Sequence, residues 1–356
     1  MNEIRDVTVV APTDICQLVN SIDIILVVSS HYGEIYGQLR ELDIPADKIV
    51  HCEEIPEHYR HIFVQNFYWK QGMYMIENLP INLGNECQLP IYQKKAPMYD
   101  KFVKYLGLME DETAARKEGT GYILDIGANV GDTLFALLNN THSKIVSIEP
   151  SKEYYSLLKE NVRKLDTQLS GRVLTVNAFI SVDKDISYVA KMYGGTAVKS
   201  IAAGEAEAPT KTIKALLEEA GIRDEEITLI KVDTDGYDYD CIMSCGDILK
   251  IQMPLLYWEN YVATLEQAEK YKEMAQYLSE CGYKSFFVFD NFGNYMGEMN
   301  VDNVKELNSY LMRINAGYST RTLYYLDILA CKCPDRDTCV RNIQSYLGNY
   351  PEQRFI

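Results

Sequence analysis

Carboxylates standing at the ends of apolar runs are the residues of this chain best placed to do chemistry. Ile123-Leu124-Asp125-Ile126 leads straight into Gly127-Ala128-Asn129-Val130-Gly131-Asp132, and a second run, Ile145-Val146-Ser147-Ile148, stops at Glu149. The small or flexible residues at 127, 128, 129 and 131 let backbone come close to a ligand before a helix begins at Asp132. Glu149 stands about where a doubly wound fold places the carboxylate that accepts hydrogen bonds from both ribose hydroxyls. A dinucleotide site calls for G-x-G-x-x-G, whereas this chain reads D-x-G-x-N-x-G. Asp125 would repel a pyrophosphate and attract an ammonium. The pattern therefore predicts a nucleoside without phosphates, S-adenosylmethionine, held by Asp125, Gly127, Asn129, Gly131 and Glu149.

Further motifs follow in order. Ile230-Lys231-Val232-Asp233-Thr234-Asp235-Gly236-Tyr237-Asp238 comes first, then Pro254 to Tyr257 leading into Glu259, then Gly282-Tyr283, then Asp290 to Asn294. As a set they resemble the FkbM family of S-adenosylmethionine-dependent methyltransferases, whose fourth strand reads I-K-[IV]-D-x-[ED]-G-x-[ED]; the resemblance covers roughly residues 96 to 335. Many members carry Leu-Asp-Asp-Leu before that strand. This chain has Thr212-Ile213-Lys214-Ala215-Leu216 there, so no acid at that point receives a role. The resemblance implies a class I methyltransferase, an α/β fold with a Rossmann-like sheet of seven strands, the last antiparallel.

Methyl transfer requires donor and acceptor in line and one proton removed. Asp233 and Asp235 are the candidate catalytic pair, one facing the cofactor and the other the acceptor. Crowding by Asp238 and Asp240 should raise proton affinity there, as suits a base. The plainer alternative makes Asp235-Gly236 a turn and Asp238 a helix cap. A second reading places a divalent cation, Mg²⁺ or Mn²⁺, on Asp233, Glu259 and Asn260, an acid, acid and amide set similar to that of metal-dependent catechol-type methyltransferases. Asn177 to Phe179 would lie beside adenine, with Ala178 as the cofactor contact. The predicted reaction is O-methylation of a hydroxyl on a sugar, a glycan or a secondary metabolite. An NAD(P)-dependent oxidoreductase and a non-catalytic nucleoside-binding protein are the competing classes.

Regular alternation of strands and helices must position these residues. Strands are expected at 122–126, 145–149, 172–181, 228–233, 254–258, 285–290 and 323–331, with helices between them. Met98 to Leu108 reads as a helix and Glu110 to Gly119 as a charged loop. A Gly-rich insertion near Gly194-Gly195 could serve as a lid or a surface hairpin. Upstream, Asp23 to Ser30, a helical pattern to Leu42 and Lys48 to Cys52 form one β-α-β unit without a phosphate-binding glycine pattern. The expected division is 1–95, an accessory Rossmann-like domain and linker, and 96–356, the methyltransferase domain.

The 356 residues carry 51 acids against 35 Lys and Arg, a net charge of −16 with no basic stripe, so nucleic acid and anionic membrane are poor partners. The N-terminus lacks a signal-peptide profile and the densest apolar run, Ile24 to Val28, is too short to span a bilayer, so a cytoplasmic protein is expected. Nine scattered cysteines read mainly as small buried hydrophobes. The expected partner is a small-molecule or glycan acceptor, with room for a homodimer. The 27 tyrosines would suit a cleft that stacks on a ring while hydrogen-bonding it.

Overall fold

In the computed structural model the described residues are 2–4, 7–9, 15, 21, 25–27, 32–51, 73–76, 79–82, 98–115, 121–183, 188–193, 196–201, 208–290, 293–318 and 325–349. The chain divides into two compact units, 1–71 and 72–356. In the first, Ile25–Val27 pairs in parallel with Ile49–His51 across the helix Tyr32–Glu41, and Leu39, Ile44 and Ile49 make a small core. This is the β-α-β unit read from the sequence; its Ser29-His31 junction lies outside the described residues. The division falls ahead of the expected one near residue 95. Strands Met73–Ile76 and Leu79–Asn82 pair as a hairpin and belong with the second unit.

The second unit is built on eight strands: β1 (Tyr122–Ile126), β2 (Lys144–Ile148), β3 (Val173–Val176), β4 (Ile227–Val232), β5 (Leu255–Asn260), β6 (Tyr283–Asp290), β7 (Tyr295–Met299) and β8 (Leu326–Lys332). Their order is β7-β6-β8-β5-β4-β1-β2-β3. β1 to β5 run parallel, and β8 is antiparallel to both β5 and β6. The mixed Rossmann-like sheet with an antiparallel last strand is the predicted one; β7 is an eighth strand, hairpinned onto β6. Its sequence, Tyr-Met-Gly-Glu-Met, offers little alternation to read.

Both sheet faces are covered, so the central strands are nearly continuous apolar runs rather than alternating ones. The side chains of Leu124, Val146, Ile230, Leu256 and Trp258 pack on one face, beneath α4 (Ile213–Ala220), α5 (Asp238–Ser244), α6 (Leu265–Glu280) and α7 (Val301–Arg313). The other face carries Ile123, Ile145, Leu229 and Leu255, beneath α1 (Met98–Ala115), α2 (Asp132–Asn140), α3 (Lys152–Lys164) and α8 (Cys333–Asn349). Caps fix where helices start: Ser151 for α3, Thr212 for α4, and for α6 a capping box in which Thr264 and Gln267 satisfy each other's backbone N–H.

Helix α1 corrects the sequence reading. It continues to Ala115, because Phe102, Val103, Leu106, Met109, Glu110, Thr113 and Ala114 fall on one buried stripe at helical spacing, and Glu110 is fully buried in it. Gly194-Gly195 lie outside the described residues, between strands Tyr188–Tyr193 and Thr196–Ile201, which pair as a hairpin. Among the described residues no helix is long and apolar enough to cross a membrane, and Cys241, Cys245, Cys331 and Cys339 are buried.

Candidate functional site

Strand register brings the singled-out acids to one edge. Side chains two residues apart share a face, so the partners of Asp125 set one polar rung across the sheet. Asp125 lies opposite Ser147 on β2 and Lys231 on β4, and Lys231 lies opposite Tyr257 on β5. One step toward the carboxyl ends, Asp233 follows β4, its N–H bonded to the Ile126 carbonyl at 3.0 Å, and Glu259 faces Asp327 across β5 and β8. Glu149 follows β2 and donates its N–H to the Val176 carbonyl. The carboxyl ends of the strands, where open α/β sheets bind ligands, thus hold Glu149, Asp233, Asp235, Asp238, Glu259 and Asp327.

Lys231 organises this edge, a role that the sequence alone does not assign it. Its ammonium is buried, 3.3 Å from Asp125 Oδ1, 3.5 Å from Asp233 Oδ2 and 3.3 Å from the Gly127 carbonyl. Burial works against its charge, but Asp233, Asp125 and Asp132 together hold its pKa above the ordinary lysine value. A signal was available. A lone lysine in the apolar strand Ile-Thr-Leu-Ile-Lys-Val and a lone acid in Tyr-Ile-Leu-Asp-Ile can be buried only as partners.

The structure departs from the role expected of Asp125. Its carboxylate is fully buried, paired with Lys231 and hydrogen-bonded by Ser147 Oγ, so it backs the site instead of meeting an ammonium directly. Desolvation raises its pKa and Lys231 opposes the rise. Asp233, with its side chain 28% exposed, is the acid of this pair that reaches the surface.

The glycines answer to protein neighbours. Gly127 has φ 81°, and a Cβ there would sit 1.8 Å from the Asp233 carbonyl; Gly131 has φ 98°, and its Cβ would meet Leu158 of α3 at 2.8 Å. Between them, Asn129 takes a left-handed φ of 47°, which aims its N–H at Glu149 Oε2, 2.8 Å away. The Ser151 N–H reaches Glu149 Oε1, also at 2.8 Å. Burial lifts the Glu149 pKa to about 7 while these two N–H bonds oppose the shift. Each oxygen keeps acceptor capacity beyond its one backbone donor, so a pair of ribose hydroxyls fits this carboxylate. Asn177 grips the carbonyls of Glu149 and Pro150 at 2.8 and 2.9 Å, shaping the turn. Ala178, predicted as an adenine contact, is fully buried in the apolar core.

Asp235 is exposed on a left-handed turn (φ 52°), and desolvation of its carboxyl and then the Asp233 charge raise its pKa. Asp238 is fully buried behind it, accepts from the Gly236 N–H and rises to about 8, from burial first and Asp233 next. Glu259 and Asp327 are pushed well up by burial and by Asp233.

The proposed cation ligands do not form a metal site. Asn260 is fully buried with its amide committed, accepting from Trp258 Nε1 at 3.1 Å and donating to Asn308 Oδ1 at 2.7 Å. Among the described residues no group of three or more His, Cys, Asp or Glu is arranged to hold a metal.

No curated protein matches the chain. An O-methyltransferase from Bacillus cereus in complex with SAH is 11% identical, covering 89% of this chain and 97% of its own, with a TM-score of 0.37. A SAM-dependent O-methyltransferase from Thermotoga maritima is 12% identical, covering 71% and 72%, with a TM-score of 0.35. Likenesses of that degree carry no weight in the assignment. Residues 125–285 match the model described as the methyltransferase FkbM domain, a span that begins at Asp125 and contains Glu149, Lys231, Asp233, Asp235 and Glu259. On that match the chain is an S-adenosylmethionine-dependent methyltransferase, with FkbM-type sequence over residues 125–285.

Proposed function

We propose that this enzyme methylates a hydroxyl oxygen, on a sugar, a glycan or a secondary metabolite. The observation that carries the reading is an edge with six carboxyl groups and one buried ammonium, shaped to receive a cationic nucleoside and a neutral nucleophile. Glu149 would hold the ribose and the 127–131 turn the methionine end, with Asp233 the acid nearest its ammonium. When bound, S-adenosylmethionine supplies an electrophilic methyl group on a sulfonium. Asp233 is tied to the Lys231 ammonium. Asp235, exposed and raised in proton affinity, is the group that accepts the proton the acceptor hydroxyl gives up.

The test is transfer of labelled methyl from S-adenosylmethionine across a panel of hydroxyl and amine acceptors. Asp235→Asn should lower kcat by about 10²–10⁴, the span of general base catalysis, with cofactor affinity held. Label appearing only on amines, or an undiminished kcat in the variant, would remove the oxygen-directed mechanism.

A further inference from the structure

The hairpin of Met73–Ile76 and Leu79–Asn82 is bonded to both helices that follow the glycine turn. On the α3 side, Asn161 is fully buried with both amide donors engaged: its Oδ1 accepts from the Asn82 N–H at 2.8 Å, and its Nδ2 donates to the Asn82 carbonyl at 2.9 Å and to the Val130 carbonyl at 2.8 Å. On the α2 side, Asn139 Nδ2 donates to the Ile76 carbonyl at 3.3 Å and to its own helix at Phe135. Ile76 and Ile81 are buried in the core that also holds Val130, Leu134 and Leu158.

One side chain thus joins hairpin and turn. Asn161 and Leu158 lie three residues apart on one face of α3, and both meet the turn, Asn161 at the Val130 carbonyl and Leu158 against Gly131. With φ of 47° at Asn129 and 98° at Gly131, the turn holds a conformation that an unrestrained chain rarely keeps. Asn129 in that conformation is what donates to Glu149.

We infer that Asn161 is a positioning residue for the cofactor, and that the hairpin, through Asn161, sets how tightly S-adenosylmethionine binds. This rests on the reading of 127–131 and Glu149 as the cofactor site. Neither hairpin nor Asn161 touches the ligand in this account. They fix the turn, so binding the ligand and docking the hairpin favour the same state and must strengthen each other equally. The hairpin is also the first element of its unit, directly following residues 1–71, so a change that lifts it would reach the cofactor turn.

The experiment uses the full chain and S-adenosylhomocysteine as the probe. Amide hydrogen exchange on the unsubstituted protein should show slower exchange at 73–82, as well as at 127–131, once the probe is bound. Asn161→Ser should weaken probe affinity tenfold or more and raise the KM for S-adenosylmethionine more than it lowers kcat; Asn139→Ala should weaken affinity two- to fivefold. Protection confined to 127–131, or affinity unchanged in a folded Asn161 variant, would overturn the inference. Absence of probe binding to the unsubstituted protein would instead overturn the cofactor reading, and this inference with it.

Discussion

The two ends of the central strands both bury carboxylates and treat them in opposite ways. At the amino ends, Glu110 of α1 accepts from the hydroxyls of Thr141 and Thr228 and, at 2.7 Å, from Ser143. The Gly121 N–H bonds Ser143 Oγ, and Arg172 fastens the same corner through the carbonyls of Leu138, Thr141 and Ser143. Both oxygens of that carboxylate are engaged by neighbouring hydroxyls. At the carboxyl ends, among the described residues, Lys231 is the one ammonium within a group of acids, Glu259 Oε2 and Asp238 Oδ1 have no hydrogen-bond partner, and burial raises the pKa of both Glu259 and Asp238. An acid buried against three hydroxyl donors is a structural joint; a crowded, incompletely partnered set at the binding edge of an α/β sheet is the pattern of a site.

Substitutions can break that contrast. Lys231→Met should have the largest effect, since it leaves Asp125 buried without its cation; about 3–5 kcal/mol of stability should be lost in denaturant unfolding. Adding Asp125→Asn should recover part of it. Glu110→Ala should cost about 2–3 kcal/mol by stranding three hydroxyls, with no change in cofactor affinity. A change in that affinity would mean the two ends are coupled.

Acid pH should sharpen the same contrast. Asp132, Glu149 and Asp238, at about 6, 7 and 8, hold protons in the folded state that the unfolded chain releases near its ordinary carboxyl pKa. Folding is therefore favoured at low pH by these groups, and that gain is lost as pH rises through about 6 to 8. The melting temperature of the ligand-free protein should fall between pH 5.5 and 8.5; a rise would contradict the placement of these acids. The smallest expected effect is none, from excess chelator on turnover, because Asn260 is committed to Trp258 and Asn308.

Where the chain ends an apolar run in an acid, local pattern is enough to read the sheet and to place Asp125, Glu149, Asp233 and Asp235 at or beside its strand ends. The partners were harder because they depend on register. Lys231 and Asp125 are far apart in sequence and meet only when β4 lies beside β1, and Asp327 joins Glu259 only because β8 returns antiparallel. Glu110 reads as loop because a charged stretch outweighs its place on the buried stripe of α1. The sequence reads the glycines as letting backbone approach a ligand; in the structure a Cβ at 127 or 131 would meet Asp233 or Leu158.

Calorimetric titration with S-adenosylhomocysteine on three proteins tests the central claim most directly. The account predicts sub-millimolar binding to the unsubstituted protein, unchanged binding to Glu110→Ala, and a loss of about 1.5–3 kcal/mol, roughly 10- to 100-fold, in Glu149→Gln, the range for hydrogen bonds to a charged group. Equal affinity in Glu149→Gln, or binding of NAD in place of S-adenosylhomocysteine, would contradict it.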